Sequence, residues 1–404
     1  MVPPLLRLVG LAGALLAVLA PDGAAAKPNP PPRPPAEAWI LIDARDGERL
    51  AADDATDQRS IASATKLMTA YLALKETNLD KRITAPAYQS AAAAESLLGL
   101  EAGERISYRE LIYALILASA NDGAVTVAEG VSGSVDRFVR KMNATAARLG
   151  LDDTSYANPI GLDEPGNFST AADLAELATV LLEDRFFRRV ADTEARTVKT
   201  DRASRSIVTR DDLLTRVPWV TGIKTGFTAE AGNVLVGSGE RDGVRLIAVV
   251  LGAPSESARD EGVLNLLEYG FSLYRTETPV RGREMFARPP VDSGGTVGLL
   301  ARSPISVSVR RAQDVETAVD SPVELAGPLR KGERLGRVTV TVDGREVGST
   351  PLIAGRSVPA PSIGDDVRNN FPTLAVVGGI LFVIVVVVVI VRRARRSDLQ
   401  GAGR

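Results

Sequence analysis

Hydrophobic residues recur at helical spacing in some stretches of the chain and follow strand-like patterns in others. The helical spacing predicts helices over residues 63–76, 108–129, 135–149, 170–183 and 256–274. Short apolar or alternating runs predict strands over residues 39–43, 48–51, 233–238 and 244–251. The first two strands flank Asp46-Gly47, a turn pair typical of a hairpin. Helices mixed with strands predict an α/β domain over residues 38–275.

The pattern changes after residue 275, where helical spacing gives way to short apolar runs between Gly- and Pro-containing turns. These runs predict strands over residues 297–300, 305–309, 323–325, 338–342 and 346–353. Short strands joined by turns are typical of an all-β unit. We therefore expect a second, small β-rich domain over residues 276–356.

The N-terminal segment resembles an export signal. Arg7 precedes an apolar run over residues 8–20, and small residues follow up to Ala26. This order predicts a cleaved signal peptide, residues 1–26. An uncleaved anchor is the alternative, but the run is shorter than the roughly 20 apolar residues that span a membrane. The Pro-rich residues 27–37 predict an extended linker.

The C-terminal segment has the length and flanks of a membrane helix. Residues 373–391 carry no charge, and an Arg-rich tail, residues 392–404, follows at once. This pattern predicts one transmembrane helix with the basic tail in the cytoplasm and the rest of the protein outside it. A helix lying on the membrane surface is disfavoured because the segment has no polar face. Residues 357–372 would form a short stalk.

Composition narrows the possible chemistry. The 404 residues include no Cys and no His, which excludes disulfides, thiolate nucleophiles, His-ligated zinc and a Ser-His-Asp triad. The net charge of −2 provides no basic field, so we expect no nucleic-acid partner. We also expect no metal and no cofactor. Any acid–base catalysis must use carboxylates, Lys, Tyr or hydroxyl groups.

Ser63 and Lys66 provide such a pair. On a helix, residues three apart share a face, so the Lys66 ammonium can reach the Ser63 hydroxyl. A Lys that is buried has its pKa lowered and can act as a base, which Arg cannot do. Only eight Lys occur among the 48 basic residues. The alternative interpretation is a helix-capping Ser beside a solvated Lys.

Two further polar motifs follow in the chain. Ser119 and Asn121 form an S-x-N motif directly after a strongly apolar stretch, which suggests a polar cleft there. Lys224, Thr225 and Gly226 form a K-T-G motif just before a strand-forming region, and Gly226 would let a ligand backbone approach closely. The alternatives are a turn at the end of a helix and a strand edge with an exposed Lys.

In this order, S-x-x-K, S-x-N and K-T-G resemble the signature of penicillin-binding proteins and serine β-lactamases. The flanking residues resemble the low-molecular-mass D-alanyl-D-alanine carboxypeptidases in five segments, namely residues 61–70, 117–122, 158–163, 169–175 and 222–228. The resemblance extends over residues 38–275, and residues 331–344 resemble the β-rich C-terminal domain of that family. It implies a bacterial protein whose catalytic domain is an antiparallel sheet covered by helices, as in β-lactamases and transpeptidases.

The resemblance implies a mechanism of acyl transfer. Ser63 would attack the bond between two terminal D-alanines of a peptidoglycan stem peptide, and neutral Lys66 would take its proton. Ser119 would pass a proton to the leaving amine. Water would then hydrolyse the acyl-enzyme, while a β-lactam would acylate Ser63 and stall.

The resemblance also implies how substrate is held. The Asn121 amide would bind the substrate backbone, and Lys224, Thr225 and Gly226 would line the site of its terminal carboxylate. The backbone N–H groups of Ser63 and Phe227 would form the oxyanion hole.

Some positions depart from the family pattern. Ile160, Asn167 and Phe227 occupy places where relatives often carry His, and Thr209-Arg210-Asp211-Asp212 replaces an Asn-rich segment, adding carboxylates near the cleft.

Two other functions compete with the carboxypeptidase. One is a class A β-lactamase, although Glu164-Pro165-Gly166-Asn167 is typical of a turn rather than of that family's deacylation loop. The other is a non-catalytic receptor for wall peptides or β-lactams, signalling through the membrane helix.

Overall fold

The computed structural model describes residues 30–90 and 95–360, which form two compact units. The first unit runs to Gly239 and resumes over Leu246–Leu273. The second comprises Glu240–Arg245 and the chain from Tyr274 onward. The predicted signal peptide, transmembrane helix and basic tail lie outside the described residues, as does the predicted stalk beyond residue 360. Within the described ranges, no helix combines the length and hydrophobicity needed to cross a membrane.

The first unit is built on a five-stranded sheet. The strands that lie wholly or mostly in this unit are, in chain order, Ala38–Asp43 (β1), Arg49–Asp53 (β2), Arg82–Thr84 (β3), Arg105–Ser107 (β4), Ala195–Lys199 (β5), Ser204–Val208 (β6), Val220–Thr228 (β7), Gly232–Arg241 (β8) and Val244–Ala253 (β9). Five of them form a sheet of order β2-β1-β9-β8-β7, while β3 with β4 and β5 with β6 form small antiparallel pairs. β1 pairs antiparallel with both neighbours, and the predicted hairpin of β1 and β2 is confirmed.

Helices cover this sheet. They are Lys66–Glu76 (α1), Tyr108–Ile116 (α2), Asn121–Ser132 (α3), Val135–Arg148 (α4), Ala171–Glu183 (α5), Arg185–Ala191 (α6), Asp212–Arg216 (α7) and Glu256–Ser272 (α8). Both α5 and α8 pack on β1, whose six residues are all buried because its sequence is almost wholly apolar. Ser107, Ser134, Thr170 and Ser255 accept a backbone N–H at the starts of four helices. The predicted α/β class is confirmed.

The single helix predicted over residues 108–129 is wrong, because the chain forms two helices, α2 and α3, separated by a loop. In this loop Ser119 has a left-handed backbone, with φ of +59°. The backbone N–H of Asn121 donates to the Ser96 carbonyl at 2.8 Å. The Asp122 carboxylate accepts three backbone N–H groups, from Leu98, Gly99 and Leu100. These long-range bonds hold the start of α3 out of line with α2, and the apolar pattern of residues 108–129 cannot reveal them.

The second unit contains only strands among its described elements. They are Tyr274–Val280 (β10), Met285–Ala287 (β11), Leu299–Ala301 (β12), Ile305–Arg310 (β13), Val315–Asp320 (β14), Arg334–Val342 (β15) and Arg345–Ala354 (β16). Five form a sheet of order β11-β12-β16-β15-β14, and β10 pairs with β13. The core of this unit is small and aliphatic and includes Leu299, Val338, Val340 and Leu352. The predicted small β domain is therefore confirmed as a class of fold.

Several details of this β unit differ from the prediction, which also does not include β10 and β11. Residues 323–325 are not a strand, since Val323 is 91% exposed and only Leu325 makes an isolated bridge, to Val291. Strand β14 was not predicted. Five of its six residues are exposed, so it lacks the buried face that creates an apolar pattern.

Candidate active site

Ser63 and Lys66 lie where a 3-10 turn, Ala62–Thr65, runs into α1. The Lys66 Nζ donates to the Ser63 Oγ at 2.9 Å, and the Lys66 side chain is fully buried. The spacing of three residues places both groups on one face of the helix start, as predicted. The Ser63 hydroxyl is therefore in contact with an amine that bulk water does not reach.

A turn from the loop after α4 supplies the second partner of Lys66. The Ile160 carbonyl accepts from the Lys66 Nζ at 2.5 Å. The Asn158 Oδ1 builds this turn by accepting the backbone N–H groups of Ile160, Gly161 and Leu162, at 3.2, 2.7 and 3.3 Å. A carbonyl oxygen can hold an amine without adding a charge, so this contact leaves Lys66 free to be neutral.

Two glycines allow the backbone to close around Ser63. Gly161 has φ of +87°, and a Cβ there would collide with the Ala62 carbonyl oxygen. A Cβ on Gly226 of β7 would stand 3.0 Å from the Ser63 backbone nitrogen. Ala62 has a left-handed φ of +47°, a strained conformation for a residue with a Cβ. The backbone before Ser63 is thus held between two segments distant in sequence.

The electrostatic surroundings of Lys66 favour its neutral form. Burial lowers the pKa of Lys66 well below its ordinary value, and the positive charges of Lys224 and Arg210 lower it further. The negative charges of Glu95 and Asp122 act in the opposite direction but do not outweigh burial. These surroundings therefore favour the neutral amine of Lys66 more than water around an exposed Lys would.

The S-x-N motif occupies the loop between α2 and α3, both of which pack on α1. Ser119 and Asn121 are 4% and 5% exposed. The Asn121 Nδ2 donates to the Glu95 Oε2 at 2.9 Å, and Glu95 is one of the charges that act on Lys66. The loop thus brings Asn121 into the electrostatic surroundings of the Ser63–Lys66 pair.

The K-T-G motif lies on β7, an edge strand of the sheet. Lys224 is nonetheless 1% exposed, so the alternative of an exposed Lys on a strand edge is wrong. Its Nζ donates to the Thr225 carbonyl at 2.8 Å. Thr225 is buried, while the Phe227 side chain is 65% exposed. Gly226, between these two residues, lies against Ser63 as described above.

Lys224 differs electrostatically from Lys66. Burial, with contributions from Arg210 and Arg259, lowers the pKa of Lys224 to about 7, although Asp211 acts to raise it. Asp211 is itself buried and its carboxylate accepts the Leu213 N–H at 3.1 Å, which begins α7. Burial, with a contribution from Asp260, raises the pKa of Asp211 to about 6, so Asp211 is largely ionised at neutral pH.

Three contributors to this site were not singled out from the sequence as site residues. Asn158 lies in a segment already recognised as similar to the family, whereas Glu95 has no signal in the local sequence. Asp211 was expected only as a carboxylate near the cleft.

Glu164 forms the predicted turn, because the Asn167 N–H donates to the Glu164 carbonyl at 3.0 Å. Among residues 30–90 and 95–360, no cluster of acidic side chains could hold a metal ion.

The arrangement has the parts needed for acyl transfer. A hydroxyl lies beside an amine whose pKa is lowered, and a second buried lysine, Lys224, stands on the strand that closes against the hydroxyl residue. Such a site can attack a carbonyl and hold an anionic group of the same substrate.

Comparison with known proteins gives the same class of chemistry. A family model for D-alanyl-D-alanine carboxypeptidases, Peptidase S11, matches residues 25–255, more than half of the chain. A second model, for the C-terminal domain of penicillin-binding protein 5, matches residues 288–360. The D-alanyl-D-alanine carboxypeptidase DacC of Escherichia coli is 32% identical over 376 residues, 88% of this chain and 92% of the relative. DacF of Bacillus subtilis is 31% identical over 329 residues, 79% of this chain and 85% of the relative.

Solved structures agree with the sequence relatives. Penicillin-binding protein 5 of Haemophilus influenzae is 27% identical with a TM-score of 0.58, covering 82% of this chain and all of that chain. A mutant of a Streptomyces DD-transpeptidase is 30% identical with a TM-score of 0.58, covering 60% of this chain and all of its own. The chain therefore belongs to the Peptidase S11 family of D-alanyl-D-alanine carboxypeptidases and is a serine-type hydrolase and penicillin-binding protein.

Proposed function

We propose that Ser63 is the nucleophile of this carboxypeptidase and Lys66 its general base. The observation that carries the proposal is the buried Lys66 amine, 2.9 Å from the Ser63 Oγ, with a pKa well below its ordinary value. Neutral Lys66 takes the hydroxyl proton as the Ser63 oxygen bonds to the carbonyl carbon between two terminal D-alanines. The backbone N–H groups of Ser63 and Phe227 stabilise the oxyanion that forms.

The same proposal describes how D-alanine leaves and how water releases the shortened peptide. Ser119 passes the proton from Lys66 to the amine of the departing D-alanine, the peptide bond breaks, and an ester to Ser63 remains. Water then attacks the ester and gives a proton to the active-site base. The bond between the acyl carbon and the Ser63 oxygen breaks, the base returns the proton to Ser63, and the shortened peptide leaves with a new carboxylate. A β-lactam follows the first half of this path, and its ring-opened ester stays on Ser63.

Substrate binding is assigned to the K-T-G motif on β7 and to Asn121. Protonated Lys224 and the Thr225 hydroxyl receive the C-terminal carboxylate of the stem peptide, and Gly226 leaves room for its backbone. The Asn121 amide carbonyl accepts a backbone N–H of the substrate. The buried position of Lys224 supports this assignment, because a desolvated cation binds a carboxylate more strongly than a solvated one.

We further propose that the enzyme acts outside the cytoplasm of a bacterium, on a membrane anchor. The support is in the sequence: a signal peptide over residues 1–26, a transmembrane helix over 373–391 and a basic tail over 392–404. Domain limits of 38–275 and 276–356 remain part of this proposal. Fractionation of cells that express the full chain should recover it with the membranes, and protease should cut it only from the outer side.

One experiment separates the carboxypeptidase from its rivals. Purified full-length protein is incubated with a pentapeptide ending in D-Ala-D-Ala and, separately, with a fluorescent penicillin. We expect D-alanine release, a stable covalent label, and loss of both in Ser63→Ala. Rapid penicillin hydrolysis without D-alanine release would indicate a β-lactamase. Absence of any label on the wild type would indicate a receptor.

The position of Glu164 favours the carboxypeptidase over the β-lactamase. Its Oε2 accepts from the Asn158 Nδ2 at 2.9 Å, so this carboxylate supports the turn that presents the Ile160 carbonyl to Lys66. A carboxylate used in this way is not placed to activate a water for fast deacylation.

A further inference from the structure

Glu95 is a half-buried carboxylate at the end of the site where the S-x-N motif lies. One of its oxygens, Oε2, accepts two hydrogen bonds, from the Asn121 Nδ2 at 2.9 Å and from the Tyr88 Oη at 2.5 Å. Burial and the neighbouring Glu95 raise the pKa of Tyr88, which keeps its hydroxyl protonated as a donor. The resemblance to the family did not assign a role to either residue.

The backbone around Glu95 is fixed to the start of α3. The Ser96 carbonyl accepts the Asn121 N–H at 2.8 Å, and the Asp122 carboxylate accepts the N–H groups of residues 98–100. Glu95 therefore does not reach Asn121 by a flexible contact between surface side chains. The segment that carries Glu95 and helix α3, which begins at Asn121, are held together by four hydrogen bonds. One joins two backbone groups, and three run from backbone N–H groups to the Asp122 carboxylate.

This geometry decides which end of the Asn121 amide faces away from Glu95. The amide has one donating and one accepting end, and a carboxylate can only accept. Because the Nδ2 is bound to Glu95, the Oδ1 is turned away from it. An amide held in this way offers an acceptor to a substrate N–H instead of alternating between its two ends.

We infer that Glu95, held by Tyr88, is a positioning residue that fixes the orientation of the Asn121 amide, and that its negative charge acts on Lys66. The inference rests on the proposed role of Asn121 in binding the substrate backbone. It deepens that role by naming the residues that make Asn121 an acceptor.

Glu95 also affects the protonation of Lys66. The charges that act on Lys66 are Lys224 on β7, Arg210 before α7, Asp122 on α3 and Glu95. Glu95 raises the pKa of Lys66, so its removal lowers that pKa further. The neutral fraction of Lys66 then grows at low pH, and the rising limb of the acylation profile moves to lower pH. A residue with a purely structural role would not move this limb.

The test compares four full-length variants with the wild type: Glu95→Gln, Glu95→Ala, Tyr88→Phe and the control Glu101→Gln. Glu101 lies in the same stretch, is exposed, and pairs with Arg202 at 3.7 Å rather than with Asn121. The measurement is the second-order rate constant of Ser63 acylation by benzylpenicillin between pH 5 and 9, with kcat/KM for a D-Ala-D-Ala peptide and the melting temperature of each variant.

We expect Glu95→Ala to lose about tenfold in kcat/KM for the peptide, the value of one hydrogen bond that orients a substrate contact. Glu95→Gln should fold like the wild type and move the rising limb to lower pH. Tyr88→Phe should lose less than Glu95→Ala because Glu95 still holds Asn121. Glu101→Gln should match the wild type in both measurements.

Three results would overturn the inference: an unchanged pH profile in Glu95→Gln, wild-type peptide kinetics in a folded Glu95→Ala, or an equal shift in Glu101→Gln. A wild-type enzyme that is not acylated at Ser63 would instead refute the proposed function. The two failures are therefore distinguishable.

Discussion

Lys66 and Lys224 are two buried lysines of the same unit, and the proposed function gives them opposite tasks. Both are at most 1% exposed, and burial lowers the pKa of each. The partners of Lys66 are the Ser63 hydroxyl and the Ile160 carbonyl, which carry no charge. Lys224 also donates to an uncharged group, the Thr225 carbonyl. The two differ in the charges around them: Glu95 and Asp122 raise the pKa of Lys66 against Lys224 and Arg210, whereas Asp211 raises the pKa of Lys224 against Arg210 and Arg259.

In the proposed function, one residue type therefore serves as a base at position 66 and as a cation at position 224. The pKa of Lys66 falls well below its ordinary value, in part because Lys224 repels its proton. The pKa of Lys224 stays at about 7, so a substantial fraction of it is charged at neutral pH, and an anionic substrate would raise that fraction. The pKa of Lys66 thus depends on the charge of Lys224.

The largest expected effect comes from replacing the base with a side chain that keeps its proton. Lys66→Arg should lower the rate constant of acylation by benzylpenicillin by about 10³-fold, because general-base catalysis contributes 10²–10⁴-fold and the guanidinium cannot deprotonate. The measurement is stopped-flow acylation at several pH values. An Arg variant with more than a tenth of the wild-type rate would mean that Lys66 is not the base.

Lys199→Arg is a matched control for this substitution. Lys199 is exposed on β5, so the same chemical change should leave acylation and the melting temperature unaltered.

A smaller effect is expected when the cation is removed. Lys224→Met should lower kcat/KM for a D-Ala-D-Ala peptide by about 10- to 100-fold, the value of a charged hydrogen bond. The loss should be much smaller for a peptide whose terminal carboxylate is converted to an amide, because that substrate presents no charge to Lys224. Equal losses for the two peptides would show that Lys224 acts on something other than the carboxylate.

Asp211→Asn should shift the part of the pH profile that depends on Lys224 and leave the part that depends on Lys66 unchanged. Removing this charge lowers the pKa of Lys224 from about 7, so Lys224 loses its proton at lower pH. The falling limb of kcat/KM should therefore move to lower pH, with a loss of a few-fold at pH 7.5, while the rising limb set by Lys66 stays in place. The exposed neighbour Asp212 provides the control, since Asp212→Asn should leave both limbs unchanged.

Much of this site could be predicted because its parts are local in sequence. Ser63 and Lys66 lie three residues apart on one helix start, and the K-T-G motif lies on one strand, so short motifs contain their geometry. The α/β class and the small β unit followed from hydrophobic spacing in the same way. The roles of these residues came from the resemblance and not from spacing.

The parts that were not predicted depend on contacts between distant segments. The helix predicted over residues 108–129 is interrupted after residue 116 by a loop that contains the left-handed Ser119. Residues 96–100 hold the next helix through hydrogen bonds to Asn121 and Asp122, and no Gly or Pro marks the break. The partnership of Glu95 with Asn121 joins residues 26 positions apart. The pKa of Lys66 depends on charges from α3, β7 and the segment before α7, which only the folded chain brings together.

The smallest effect is expected at Phe227, three residues beyond Lys224 on the same strand. Its side chain is 65% exposed, and only its backbone N–H is assigned to the oxyanion hole. Phe227→His and Phe227→Ala should therefore change acylation by less than about threefold, as is usual for an exposed position. Acylation rates and deacylation half-lives of both variants provide the measurement. A tenfold loss in Phe227→Ala would mean that the aromatic ring itself contacts the substrate, and that catalysis depends on more than the two buried lysines and the backbone donors.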